Sequence, residues 1–258
     1  MWEKELKEAI FAGLLAKEKI LEIYESSFDV EIKSDNSPVT LADKTADKII
    51  REHLHKCFPN YSFLTEESDD DKSRLNNDYV FIVDPVDGTK DFVARDGGFT
   101  INIALAYKHE VVMGVVIVPV SGDIYYATKG NGSYHQINNE IKPIHVSDKL
   151  EDLTVLTSVF HFNEIEQELI NKHSNRIKHV EKFGSSIKAC RIAEGLAEIT
   201  YRMSPSTKEW DTAAFQIIVE EAGGLVLEPN GHRLTYNRED VYNRNGYVVV
   251  NRKENILL

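Results

Sequence analysis

The chain has 258 residues, 42% of them hydrophobic and 28% charged, enough for one large α/β unit or two closely joined halves with a sizeable core. Its 42 acidic and 30 basic residues give a net charge of −12, which excludes a non-specific nucleic-acid binder but not a small phosphorylated substrate, because a bound divalent ion reverses the local field. The two cysteines, Cys57 and Cys190, have no CxxC spacing and make no disulfide framework.

Without a signal-peptide pattern at Met1-Trp2-Glu3 or an apolar run long enough to span a membrane, a cytoplasmic protein is expected. Leu6, Ile10, Leu14, Leu21 and Tyr24 predict an amphipathic helix over 2–25. An extended stretch at 28–33 and a polar break at 34–38 follow. Thr40, with Asp43 three positions on, reads as the capping box of a helix that carries Ala46, Ile50, Leu54 and Cys57 on one face. The apolar runs 61–64 and 79–83 read as strands, the second covered on both faces. Strands 100–107 and 111–118 flank a turn at Lys108-His109-Glu110, and 123–128 adds another strand. Beyond 146 the expected order is strand 153–159, helix 163–172, helix 186–197, strand 198–203, helix 211–222 and strand 224–228. Two sub-domains, 1–150 and 151–258, are expected to form one compact unit without a linker or internal repeat.

The chemistry concentrates at Asp84-Pro85-Val86-Asp87-Gly88-Thr89. A buried strand ends at Asp84, Pro85 cannot continue the ladder, and a short helix is expected to begin near Thr89. Pro, Asp and Gly are ordinary turn residues, and any one of them alone is explained that way. As a set they place two carboxylates at the core's edge. About 5 Å apart, at an effective dielectric of 20, these repel by roughly 3 kcal/mol. An oxygen-only ligand set relieved by a cation suits magnesium rather than zinc. Gly88 and Thr89 can offer backbone N–H groups to a phosphate. Glu66 stands at the end of the 61–64 run, where it either reaches the same sheet edge or begins an acidic loop. Asp211, taken alone, reads as a helix-start carboxylate favoured by the macrodipole. No HExxH, GxSxG, Walker-type or GxGxxG pattern is present.

Together these segments resemble the inositol monophosphatase superfamily of magnesium-dependent, lithium-sensitive phosphatases. Thr65-Glu66-Glu67-Ser68, Asp84-Pro85-Val86-Asp87-Gly88-Thr89 and Trp210-Asp211-Thr212-Ala213-Ala214 with Glu221-Ala222-Gly223-Gly224 match its three motifs in order, over nearly the whole chain. Four further segments resemble its CysQ-like 3'(2'),5'-bisphosphate nucleotidase branch: 33–43, Asp87-Gly88-Thr89-Lys90-Asp91-Phe92, 99–105 and Gly184-Ser185-Ser186-Ile187-Lys188.

The resemblance implies a layered α-β-α-β-α sandwich. It also implies hydrolysis of the 3'-phosphate of adenosine 3',5'-bisphosphate to AMP and phosphate, a recycling step linked to sulfate assimilation. Glu66, Asp84 and the Val86 carbonyl would hold one magnesium, and Asp84, Asp87 and Asp211 a second. Thr89 and Glu66 would orient or deprotonate a water, Asp43 would support a further ion or its water, and the Gly88 and Thr89 amides would bind phosphate. Ser185 and Lys188 fall on the nucleotide side. Phe215 departs from the glycine common in the family, and either narrows the pocket or faces the core. An inositol or sugar phosphatase, and a non-catalytic nucleotide-phosphate binding module, are the competing assignments. A monomer is expected over a homodimer.

Overall fold

The computed structural model describes residues 1–26, 30–32 and 38–258. Two helices come first, α1 (Glu3–Glu25) and α2 (Leu41–Cys57), with a small ribbon of β1 (Val30–Ile32) and β2 (Pro38–Thr40) between them. The predicted extended stretch survives in β1, while 27–29 and 33–37, including most of the polar break, lie outside the described residues.

A seven-stranded sheet follows, in chain order: β3 (Ser62–Thr65), β4 (Tyr79–Asp87), β5 (Thr100–Tyr107), β6 (Glu110–Ile117), β7 (Ile124–Thr128), β8 (Ser133–Ile137) and β9 (Glu140–Ile144). The expected β5–β6 hairpin turns on two residues, Lys108 and His109, both with positive φ, as a tight hairpin requires. The short helix α3 (Thr89–Ala94) leaves the end of β4.

The second sheet runs in the order β11 (Ile177–Phe183), β10 (Leu153–Ser158), β12 (Ile199–Arg202), β14 (Tyr247–Val250), β13 (Leu225–Leu227). Its helices are α4 (Glu164–Lys172), α5 (Ile187–Ala193) and α6 (Glu209–Glu221). Helix α5 stops four residues before the predicted end, where Gly195 turns the chain at φ +77°.

Side-chain alternation assigns the layers. Phe81, Val83, Ile101, Ile103 and Leu105 pack with Ala9, Ala12, Ala46 and Ile50 of α1 and α2. Their neighbours Val80, Ile82, Ala104 and Ala106 face the other way, onto Ala213, Phe215, Ile217 and Ile218 of α6 and Cys190 of α5. Leu156, Tyr247 and Val249 cover this helical layer from the second sheet. Val155, Ile199, Val248 and Val250 point outward, toward Ile170 of α4. The result is the α-β-α-β-α sandwich. Helix α6 lies so close to the first sheet that a Cβ on Gly114 would stand 2.2 Å from the Ala214 carbonyl oxygen. None of the described helices is long and apolar enough to cross a membrane.

Candidate active site

Strand β4 does not end at Asp84 but continues through Pro85 to Asp87. Its pairing with β5 slips on the way: Asp84 faces Asn102 and Asp87 faces Thr100, so three steps along β4 match two along β5. This bulge matters chemically. In a regular strand, residues three apart point to opposite faces; one extra residue returns Asp87 to the side of Asp84. Gly88, at φ +92°, then starts α3.

Asp211 comes to the same place from the middle layer. Helix α6 begins at Glu209, two residues earlier than predicted, which puts Asp211 in its first turn with Oδ2 accepting from the Lys208 amide at 2.5 Å. The helix-end reading and the site reading of Asp211 therefore hold together. One oxygen each of Asp84, Asp87 and Asp211 lies within 4.8 Å of the others. Glu66 lies outside this three-way group but lines the same cavity, positioned by its amide on the Val83 carbonyl.

Each clustered carboxylate is pinned by one oxygen. Asp84 Oδ1 accepts from the Val86 amide at 3.1 Å. Asp87 Oδ2 is the most crowded: the Ser186 amide at 2.8 Å, the Ser186 hydroxyl at 2.7 Å and Asn102 Nδ2 at 3.0 Å all donate to it. The Thr100 hydroxyl, at 3.2 Å, shares its one proton between Asp87 and Asn102. Asp43 is both cap and neighbour of the site. Its Oδ2 accepts from the Thr40 amide at 2.9 Å, while Oδ1 accepts from the Thr89 hydroxyl at 3.2 Å. That hydroxyl also lies 3.3 Å from the Val86 carbonyl.

Burial, then repulsion from Glu66, Asp87, Asp211 and Asp43, drives the Asp84 carboxyl well above its usual range. Burial, with the charges of Asp87 and Glu66, pushes Asp211 to about 8, although Lys208 opposes it. Oxygen donors crowded into a buried volume at the cost of mutual repulsion are what a hard divalent cation requires.

The cavity, about 330 Å³, is not lined by carboxylates alone. Lys90, Lys188, Arg202 and Lys208 line it with His161 and Ser185. Burial lowers Lys188 to about 8, against the pull of Asp87 and Asp91, and its ammonium donates to the Ser185 carbonyl at 2.7 Å. Burial and the nearby cations hold His161 neutral, with a pKa of about 4. Asp91 is raised to about 7, by burial and then by Asp96 and Asp87. The Ser185 hydroxyl is buried without a partner among the described residues, on a backbone at φ +43°.

Glu66, Asp84, Val86, Asp87, Gly88, Thr89, Ser185, Lys188 and Asp211 thus share one cavity, and Asp43 adjoins it through Thr89. Phe215 faces the core, buried against Tyr247 with centroids 5.7 Å apart, and its edge also lines the cavity. Asn102, Ser186, Arg202 and His161 were missed. The segments 99–105 and 184–188 carried the first two, but singled out Ser185 where Ser186 meets the aspartate. Nothing in the sequence pattern marked Arg202 or His161.

The family model for the inositol monophosphatase family matches residues 1–256. The 3'(2'),5'-bisphosphate nucleotidase CysQ of Salmonella typhimurium is 34% identical over 237 residues, 91% of this chain and 94% of that protein. The crystal structure of CysQ from Bacteroides thetaiotaomicron superposes with a TM-score of 0.85 at 34% identity, covering 98% of this chain and 99% of the other. The extragenic suppressor protein suhB of Bartonella henselae superposes at 0.80 with 26% identity, over 97% of each chain. The protein belongs to the inositol monophosphatase family.

Proposed function

We propose that the protein is a magnesium-dependent phosphomonoesterase that removes the 3'-phosphate of adenosine 3',5'-bisphosphate, giving AMP and phosphate. One juxtaposition carries the reading: an all-oxygen carboxylate cluster and a set of cationic side chains line a single cavity in an otherwise acidic protein. A substrate with one phosphate to lose and a second to be held fits both. The relatives bearing the nucleotidase name support the choice of a nucleotide.

The donor set fits magnesium. Glu66, Asp84 and the Val86 carbonyl would hold one ion, and Asp84, Asp87 and Asp211 another, with Asp43 near enough through Thr89 to support a third. When bound, the ions supply Lewis-acid stabilisation of the phosphoryl group and a more acidic water.

The protein's own groups do the rest. Because the Thr89 hydroxyl donates to Asp43, its lone pairs remain to accept from an attacking water and aim it. Glu66 takes the proton of that water. Gly88 and Thr89 line the cavity, and their amides would bind the transferred phosphate. Lys188, Arg202 and Lys208 hold the second phosphate, and the unpartnered Ser185 hydroxyl gives the substrate a buried donor. His161 meets the substrate as a neutral ring. One chain supplies every group named here, so a monomer would suffice for turnover.

Phosphate release from adenosine 3',5'-bisphosphate and from inositol 1-phosphate, compared in magnesium, tests the proposal. The nucleotide is expected to be the better substrate by kcat/KM. Faster hydrolysis of the inositol ester would replace it with the inositol phosphatase reading. Nucleotide binding without turnover would leave only a binding module.

A further inference from the structure

A second group of potential metal ligands lies between α1 and α2, away from the cavity. Glu8 of α1 and His53 and Cys57 of α2 bring one ligand atom each within 4.8 Å of one another. Spacing of four residues puts His53 and Cys57 on one face of α2, and Glu8 meets that face. None of the three lines the carboxylate cavity. They stand ten and fourteen residues beyond Asp43 on the same helix, about 15 and 21 Å along its axis.

We propose that Glu8, His53 and Cys57 form a separate site for a borderline-soft divalent ion, with zinc as its occupant. Chemistry and geometry both point there. A thiolate, an imidazole and a carboxylate make a mixed set that favours zinc over magnesium, the reverse of the all-oxygen cluster around Asp84. Tetrahedral zinc places its sulfur ligand about 3.6 Å from a nitrogen or oxygen ligand, and its nitrogen about 3.4 Å from its oxygen.

In the structure Cys57 Sγ lies 3.7 Å from His53 Nε2 and 3.5 Å from Glu8 Oε2. Two of the three edges already match. Only the 2.8 Å contact between His53 Nε2 and Glu8 Oε2 must open, by about 0.6 Å. In the metal-free chain a histidine–glutamate hydrogen bond and weak thiol hydrogen bonds hold these three atoms together, and it is their convergence at zinc's edge lengths that points to an ion.

Side-chain exposures of 20% for His53 and 23% for Glu8 leave solvent access and a fourth position for water. The Phe11 ring, 5.0 Å from the imidazole, covers one side. Binding releases the Cys57 thiol proton to solvent, and His53 coordinates through Nε2 with its proton on Nδ1. The ion then ties the first helix to the second.

Cobalt(II) is the probe, added to the full chain carrying Asp84→Asn so that the carboxylate cluster does not compete, with a reductant keeping Cys57 a thiol. A near-ultraviolet thiolate-to-cobalt charge-transfer band should saturate at one equivalent, be displaced by zinc, and vanish in Cys57→Ser. His53→Gln should weaken zinc binding by about tenfold or more. Phosphatase activity of the otherwise unaltered chain should be unchanged by Cys57→Ser. No band in a folded protein, or a band that survives Cys57→Ser, overturns the proposal. If Asp84→Asn does not fold, the native sequence saturated with magnesium gives the same reading.

Discussion

Asp84 and Asp211 are carboxyl groups that the fold removes from water and sets beside Glu66 and Asp87. Such a site costs stability until a cation occupies it. With Asp211 at about 8 in the folded chain against 3.8 unfolded, the native state retains a proton the unfolded state has lost. Without divalent ions, stability should therefore fall as pH rises from about 4 to about 8, and magnesium should flatten that slope. Asp84→Asn and Asp211→Asn should each abolish turnover, yet raise metal-free stability by about 1–3 kcal/mol. Thermal unfolding in chelator and in magnesium checks both; a variant with near-native turnover at saturating magnesium would remove that residue from the site. Asn102 tests the supporting contacts. Asn102→Ala takes one donor from Asp87 Oδ2 and should raise the magnesium concentration for half-maximal rate about 10–100-fold, with little change in kcat once saturated. Asp84 and Asp87 were legible in the sequence because acidic residues beside Pro and Gly at a strand end are informative, whereas Glu66 and Asp211 joined them only through the family resemblance. Ser186, Asn102 and Arg202 were not, since a serine, an asparagine or an arginine acquires its role only when distant elements meet.

The elements divide the same way. Helix α1, the β5–β6 hairpin and the capping box of α2 could be read because their causes are local: apolar period, turn length, and Thr40 with Asp43. Strands β11 and β14 could not. Five of the seven residues of β11 are exposed, as befits an edge strand with one free side, so its sequence lacks a buried alternation. The apolar run of β14 matters through its neighbours, for it pairs antiparallel with both β12 and β13 from far along the chain. The β4 bulge is a similar case: Pro85 suggested an end, whereas β5 carries the pairing on to Asp87. Gly114 is the element-scale counterpart of the Asp211 assignment. Its missing side chain lets α6, which carries Asp211, lie against β6. Gly114→Ala would set a Cβ against the Ala214 backbone, which cannot swing aside as a side chain can. It should destabilise by about 1–3 kcal/mol and, by displacing α6, raise the magnesium concentration needed for half-maximal rate as well. Urea midpoints and magnesium titrations read the two effects; loss of stability without a change in magnesium affinity would show that α6 shifts as a whole without moving Asp211 from its partners.

Across the whole molecule, the layers must be held in register for α6 to deliver Asp211 to the end of β4, and apolar packing is not the only tie. His135 on β8 of the first sheet is buried, with Nε2 2.5 Å from Asp123 Oδ1 and Nδ1 2.7 Å from Glu194 Oε1. The second is an ion-pair distance rather than an aligned hydrogen bond. Glu194 caps α5 in the middle layer and also accepts from Tyr125 at 2.9 Å, while the Tyr125 ring stacks on the imidazole at 4.4 Å. Burial alone would lower the His135 pKa, but Glu194 and Asp123 outweigh it and the net shift is upward. Glu194 moves down: burial opposes, and the His135 contact and the Tyr125 hydrogen bond prevail. For His135 the folded state holds a proton that the unfolded state releases near 6.5, so its contribution is complete below that pH and lost as pH rises through the higher folded value. For Glu194 the contribution is present above 4.5 and lost as pH falls through the lower folded value. The tie is therefore strongest in the interval between, where both groups are charged. In saturating magnesium, which removes the carboxylate cluster's own slope, urea midpoints should decline from about pH 6.5 upward. His135→Gln should be less stable at pH 6 and lose that decline, because two half-buried carboxylates then lack the cation between them at every pH in the range. An unchanged slope in the variant would assign the alkaline decline to another group and leave apolar packing as the tie between the layers.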